Sequence, residues 1–259
     1  MKKIFVCVAI AGTMFSTAVK AQSAAFQAGE KITYAVYYKV VGLYVNAGTA
    51  TFTTTREKYL NKDVFHVVGE GVTNTKYDWI FKVRDRYESY FDTKDFESLK
   101  FIRHVNEGDY KKHEEVTFNE ITNTALTPTG VYKVPDKTKD VLNALYHARS
   151  IDYSKYKIGE KISFKLFVDN EVYDMYVRYL GKETIHTKYG KFRVLKLKPL
   201  LLKGSIFDGG EKMNIWVTDD ANHIPVRIES PIVVGTVMID MMQYQNIKTP
   251  LASLIAFGN

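Results

Sequence analysis

Apolar and polar positions alternate with period two from Trp79 to Phe91. Trp79, Phe81, Val83, Tyr87 and Phe91 share one face with Asp85 and Ser89, while Ile80, Lys82, Arg84, Arg86, Glu88 and Tyr90 share the other. The same alternation returns at Leu99, Phe101, Arg103 and Val105, so the two runs predict a long β-hairpin with its turn at Asp92–Glu97. This register sets Phe91 opposite Leu99 and Tyr87 opposite Arg103, which leaves Asp85 diagonal to Arg103 on the apolar face. Two opposite charges on such a face are expected to pair, because stranding one in a buried site costs about 3–5 kcal/mol. Asp85 and Arg103 are therefore expected to form a structural ion pair.

Strand patterns bounded by turn residues recur at 31–39, 47–55, 64–69, 114–118, 161–167, 171–179, 192–197 and 212–217. Helical spacing occurs in one region, Thr138 to Arg149, where Val141, Leu142, Leu145, Tyr146 and Ala148 recur every three or four residues and Asp136 is available as a cap. The expected fold is mostly β: a large curved antiparallel sheet or open barrel, built as a single all-β domain over residues 22–259, with one helix on its concave side. The two sides of the helix echo each other. Ala28-Gly-Glu-Lys-Ile-Thr-Tyr34 resembles Ile158-Gly-Glu-Lys-Ile-Ser-Phe164, and Tyr90–Asp95 leading to Leu99 resembles Trp216–Ala221 leading to Pro225. Half-repeats at 29–120 and 159–247 are one explanation, and common turn chemistry is the other.

Composition supports strands, with 18 Tyr and 15 Phe against 6 Pro and 16 Gly. The amino terminus reads differently. Met1-Lys-Lys, an apolar run from Ile4 to Val19 and Val19-Lys-Ala21 have the three parts of a secretory signal peptide over 1–21, which predicts a periplasmic or otherwise extracytoplasmic mature protein. The formal charge of +7 falls to +4 once Lys2, Lys3 and Lys20 leave with the leader, too mild and too interleaved with acids for a nucleic-acid partner. The single cysteine, Cys7, leaves with it too, so no disulfide or thiolate metal site is expected. No apolar run of the mature chain reaches the roughly 18 residues of a transmembrane helix.

No Gly-x-Ser-x-Gly, phosphate loop or dinucleotide fingerprint is present, so neither a familiar nucleophile nor a cofactor is implied. The six histidines lack helical metal-ligand spacing; His104 and His113 lie on neighbouring strands, where they could meet, but both read as surface residues, and no metal is expected. The loop Asn106–Tyr110 could present Glu107 and Asp109 to a ligand, or serve as an ordinary hairpin turn. Trp79, Arg84, Arg86, Glu107, Asp109 and Trp216 are the candidate ligand-binding residues. Phe81–Tyr90, Phe101–Gly108 and Trp216–Asp220 give the chain its resemblance to the DUF3108 family of exported bacterial proteins over nearly the whole mature chain. That family has no established activity, so the likeness implies a bacterial, envelope-associated setting. A second, fold-level similarity links the Trp216–Arg227 hairpin to half-barrel lipoprotein carriers of the periplasm, which hold acyl chains on a concave apolar surface.

Two functions follow. One is an envelope protein that binds a lipid-like, glycan or protein partner on an aromatic-rich concave β-surface. The alternative is a hydrolase or lyase of envelope polymers, with Asp85, Glu88, Glu107 and Asp109 as acid and base around Arg84, Arg86 and Arg103. Glycosidic chemistry would need two of these carboxylates about 5–9 Å apart.

Overall fold

The structure is a computed structural model that describes residues 24–41, 43–79, 82–203, 208–232 and 235–258. The expected leader, 1–21, lies outside the described residues, as do Ile80 and Phe81 of the first hairpin. The first half of the chain contributes β1 (Lys31–Val40), β2 (Leu43–Tyr59), β3 (Lys62–Thr73), β4 (Arg84–Asp92), β5 (Ser98–Glu107), β6 (Tyr110–Asn119), β7 (Thr124–Thr127) and β8 (Gly130–Lys133). After helix α1 (Val141–Arg149) come β9 (Lys161–Val168), β10 (Glu171–His186), β11 (Gly190–Pro199), β12 (Leu201–Lys203), β13 (Asp208–Gly210), β14 (Asn214–Thr218), β15 (Pro225–Pro231), β16 (Thr236–Gln245) and β17 (Leu254–Phe257).

Fifteen of these strands form one antiparallel sheet, in the order β8-β7-β6-β5-β4-β3-β2-β1-β16-β15-β14-β11-β10-β9 with β17 added to β11; β12 and β13 pair separately. The first and last long strands are neighbours, from Lys31 opposite Gln245 to Lys39 opposite Thr236. The meander is thus joined where an open sheet would ordinarily end, and its gap lies instead between β8 and β9. The segment before the helix partly bridges that gap: Lys139 N–H donates to Lys165 C=O at 2.8 Å and Phe167 N–H to Lys139 C=O at 2.9 Å. This explains a difference from the expected helix. Lys139 is spent on the β9 edge, so α1 starts at Val141 and its cap is Asp140 in place of Asp136, accepting from Asn143 N–H at 2.9 Å.

The helix is apolar on more than one side, as a helix enclosed by a curved sheet must be. Leu142 and Tyr146 pack among Phe26, Phe65, Phe91 and Phe96, where the aromatic residues are concentrated. Each such buried ring contributes about 1.5–3 kcal/mol. The tail 247–254 packs Ile247, Leu251 and Leu254 against a second cluster containing Phe192, Val194, Trp216 and Val226. Among the described residues no helix is long and apolar enough to cross a membrane.

Candidate functional site: a cavity between helix and sheet

Both ends of α1 are fastened to turns at one end of the sheet. At its start, Asp140 accepts from Ser89 and Ser98 hydroxyls at 2.7 and 2.8 Å, and the Asn143 amide donates to Phe96 C=O at 2.8 Å. Lys139 is buried beside them with its ammonium on Phe96 C=O, and burial holds its pKa down at about 8. At its finish, Arg149 makes a bidentate pair with Glu30 at 2.6 and 2.9 Å and reaches Asn222 C=O at 3.2 Å. Glu30 precedes β1, Phe96 lies in the β4–β5 turn and Asn222 in the β14–β15 turn, so the helix closes that end like a floor.

Above this floor is a cavity of about 690 Å³. The helix supplies Val141, Leu142, Ala144, Leu145 and Ala148. The walls are Ala50, Phe52, Phe164, Leu166, Val168, Met175, Val177, Leu197, Ile215 and Val217, and the β11–β12 segment adds Leu200, Leu201 and Leu202. Glu70, Asp85, Arg103 and Asp169 bring charge to the lining near the opposite strand ends. Inside, the surface is aliphatic far more than aromatic, with Phe52, Tyr87 and Phe164 as its aromatic members, which revises the expected aromatic-rich concave face: Phe26, Phe65, Phe91 and Phe96 are consumed in packing the helix.

Among the expected site residues, Tyr87 does lie opposite Arg103, and Asp85, Tyr87 and Arg103 all line the cavity. The expected Asp85–Arg103 pair is replaced. Arg103 Nε lies 2.6 Å from Glu114 Oε2, its direct cross-strand partner, and the guanidinium also meets Asp169 in the β9–β10 turn. A residue directly opposite is nearer than a diagonal one, so Glu114 takes the arginine. Asp85 accepts Asn106 N–H at 2.8 Å and faces Glu107, whose carboxyl is pushed up to about 7 by burial and by the Asp85 charge. The same surroundings, burial first and Asp85 next, push the Tyr87 hydroxyl up to about 12.

The remaining candidates are dispersed. Trp79 is 83 % exposed in the β3–β4 connection and outside any strand. Arg84 is tied to Asp78 at 2.6 Å and to Thr73, a knot that interrupts the expected strand before β4. Arg86 and Glu88 join Glu70 and His66 in an ion network. Asp109 is exposed in the β5–β6 turn. Trp216 is core, donating Nε1–H to Glu183 while its neighbours Ile215 and Val217 line the cavity. His104 and His113 do meet, with Nδ1 atoms 3.1 Å apart, but among the described residues no group of three or more His, Cys, Asp or Glu forms around them.

Residues that sequence reasoning missed are the cavity's Leu200–Leu202 wall and the strand β16. The run Pro199-Leu-Leu-Leu202 carried a signal, since three successive leucines do not suit a strand with one wet face.

A protein of the DUF1849 domain of unknown function from Brucella abortus, described as β-barrel-like, superposes with a TM-score of 0.55 at 9 % identity, covering 86 % of this chain and 99 % of its own. A Bacteroides fragilis protein with a YmcC-like fold, assigned as exported, gives 0.37 at 13 % identity, covering 86 % of this chain and 100 % of its own. A Parabacteroides distasonis protein assigned as a lipoprotein gives 0.38 at 14 % identity, covering 86 % and 98 %. No curated protein matches the sequence. The model of the family described as protein of unknown function (DUF3108) matches residues 33–242, and the chain belongs to that family.

Proposed function

We propose that this protein is an exported binding protein that takes an acyl chain, or a ligand of similar apolar character, into the cavity between α1 and the sheet. The observation that carries this is the lining: a volume of about 690 Å³ walled by leucine, valine, alanine, methionine and isoleucine. That size falls within the range of small-molecule sites. Of the charged groups that reach it, Arg149 pairs with Glu30, Arg103 with Glu114 and Asp169, and Glu70 with Arg86, while Asp85 accepts Asn106 N–H. Along the aliphatic walls, which are most of the lining, sugar hydroxyls would lose water without replacement hydrogen bonds, which favours a lipid-like ligand over a glycan. The hydrolase alternative has less support. Glu88 sits in the His66–Arg86 network and Asp109 in an exposed turn, while Asp85 and Glu107 are close enough to share a proton and leave no room for a sugar between them.

Each buried methylene contributes about 0.8 kcal/mol. Displacement of cis-parinaric acid by fatty acids of increasing length should therefore tighten by roughly tenfold for every two carbons until the volume is filled. Ala144→Phe, which fills the cavity from the helix, should abolish binding. Absence of probe binding, or binding indifferent to chain length and to Ala144→Phe, would overturn the proposal.

A further inference from the structure

The two connections above the central strands carry large apolar residues in water. Val41 is 101 % exposed, Trp79 83 %, Leu43 and Tyr44 47 % each, and Val72 42 %. The two connections rise from adjoining strand ends: Gly48 on β2 pairs with Thr73 at the end of β3, and Asn74 N–H bonds Ala47 C=O at 2.8 Å. Three exposed lysines, Lys39, Lys76 and Lys82, flank them. Of the acids near them, Asp78 is paired with Arg84 at 2.6 Å, and Asp109 is exposed in the β5–β6 turn, whose Gly108 N–H bonds Lys82 C=O at 2.8 Å.

We infer that this rim docks the protein on a bilayer surface carrying anionic headgroups. Exposed tryptophan, leucine and valine side chains, with Tyr44 stacked on Tyr37 and lysines on the same connections, match the interface of a membrane, where aromatic rings sit among headgroups and ammonium groups meet phosphate. Charge complements the occupant: three exposed lysines stand against one exposed acid, Asp109, the other, Asp78, being paired. Position also fits. Gly71, next to the exposed Val72, and Asp85, next to Arg84, line the cavity, so the rim and the cavity's far end share strand ends opposite the helix floor. Docking rests on the proposed function for its purpose, delivery or uptake of an apolar chain, but not for its test.

The chain has two tryptophans, and Trp216 is buried, so a change in emission on adding vesicles reports Trp79. With vesicles of phosphatidylethanolamine and phosphatidylglycerol the wild-type protein should float, its emission should shift to the blue, and brominated chains should quench it. Trp79→Phe should remove the shift while keeping flotation. Leu43→Ser with Trp79→Ser should weaken partitioning by at least about tenfold, and each of Lys39→Gln and Lys82→Gln by about fivefold on anionic vesicles only. A wild-type protein that neither floats nor shifts, or a serine double variant that partitions like wild type, would overturn the inference. Ala144→Phe should float normally yet lose cis-parinaric acid, and the serine variant the reverse, so cavity binding and docking can fail separately.

Discussion

Asp85 lies diagonal to Arg103 on the cavity face, yet its carboxylate turns toward Asn106 N–H and Glu107. The consequence is a titration. Glu107 is raised from 4.5 to about 7, by burial and then by Asp85, so folding favours its protonated form. That contribution is complete below about pH 4.5 and lost as pH rises through about 7. Glu97 behaves alike, raised to about 7 by its hydrogen bond with Glu120 and by burial, so both residues act in the same window. Burial holds His147 and His223 below the usual histidine range, which acts in the opposite sense below about pH 6.5, so the urea midpoint should fall most clearly between pH 6.5 and pH 8. Glu107→Gln should remove part of the fall and Glu97→Gln another part, and variants whose profiles follow wild type across the window would contradict the assignment. Period two was enough to put Asp85, Tyr87 and Arg103 on one inward face, and all three line the cavity. It could not name their partners, because Asp169 reaches Arg103 from 66 residues away across the gap in the sheet.

At the level of elements, the helix owes its place to buried polar contacts as much as to its leucines. Arg149 and Glu30 are 3 % and 1 % exposed at their side chains, so removing one leaves an unpaired charge in the core. Arg149→Met should cost about 3–5 kcal/mol in urea unfolding, and combining it with Glu30→Leu should recover much of the loss. Additive losses in the double variant would show that the two residues do not act as a pair. The helix itself was legible from the spacing of Leu142, Leu145 and Tyr146. Its first turn was not, since Thr138 and Lys139 fit a helix locally, but Lys139 pairs with β9 and the Thr138 hydroxyl turns back to Pro135 C=O. Tertiary hydrogen bonds of this kind override propensity. Likewise the alternation through Trp79 looked like strand, and the Thr73–Asp78–Arg84 knot breaks it. Strand β16 escaped notice because Met238, Ile239, Met241 and Met242 make both of its faces apolar and blur the period.

Across the whole molecule the two halves run through the same sequence of events. Gly29 and Gly159 have φ of +85° and +90°, each N–H bonds the second strand of its half at 2.7 Å, and Thr54 N–H and Tyr179 N–H return to Glu30 and Glu160. Further on, the register slips between Tyr90 and Phe91 in one half and between Trp216 and Val217 in the other. Strands β1 to β6 thus correspond in order to β9, β10, β11, β14, β15 and β16, with the β12–β13 hairpin standing where the first half has the Trp79 connection. Such a correspondence could describe two units that fold apart, but the sheet argues otherwise. β1 and β16 hydrogen-bond along their length, Phe167 of the second half packs with Phe101, Val116 and Phe118 of the first, and α1 fastens to turns from both. Cutting the one covalent link between the halves should therefore leave them together. A protease site placed between Asp136 and Lys137, both exposed and outside the strands and helix, allows the cut without touching a strand. The nicked protein should elute as a single species of unchanged size, bind cis-parinaric acid, and unfold in one transition at lower urea, because the halves then also regain the entropy of separate chains. Fragments that part under native conditions would instead mean that each meander holds its own core, and the cavity could not then depend on walls from both.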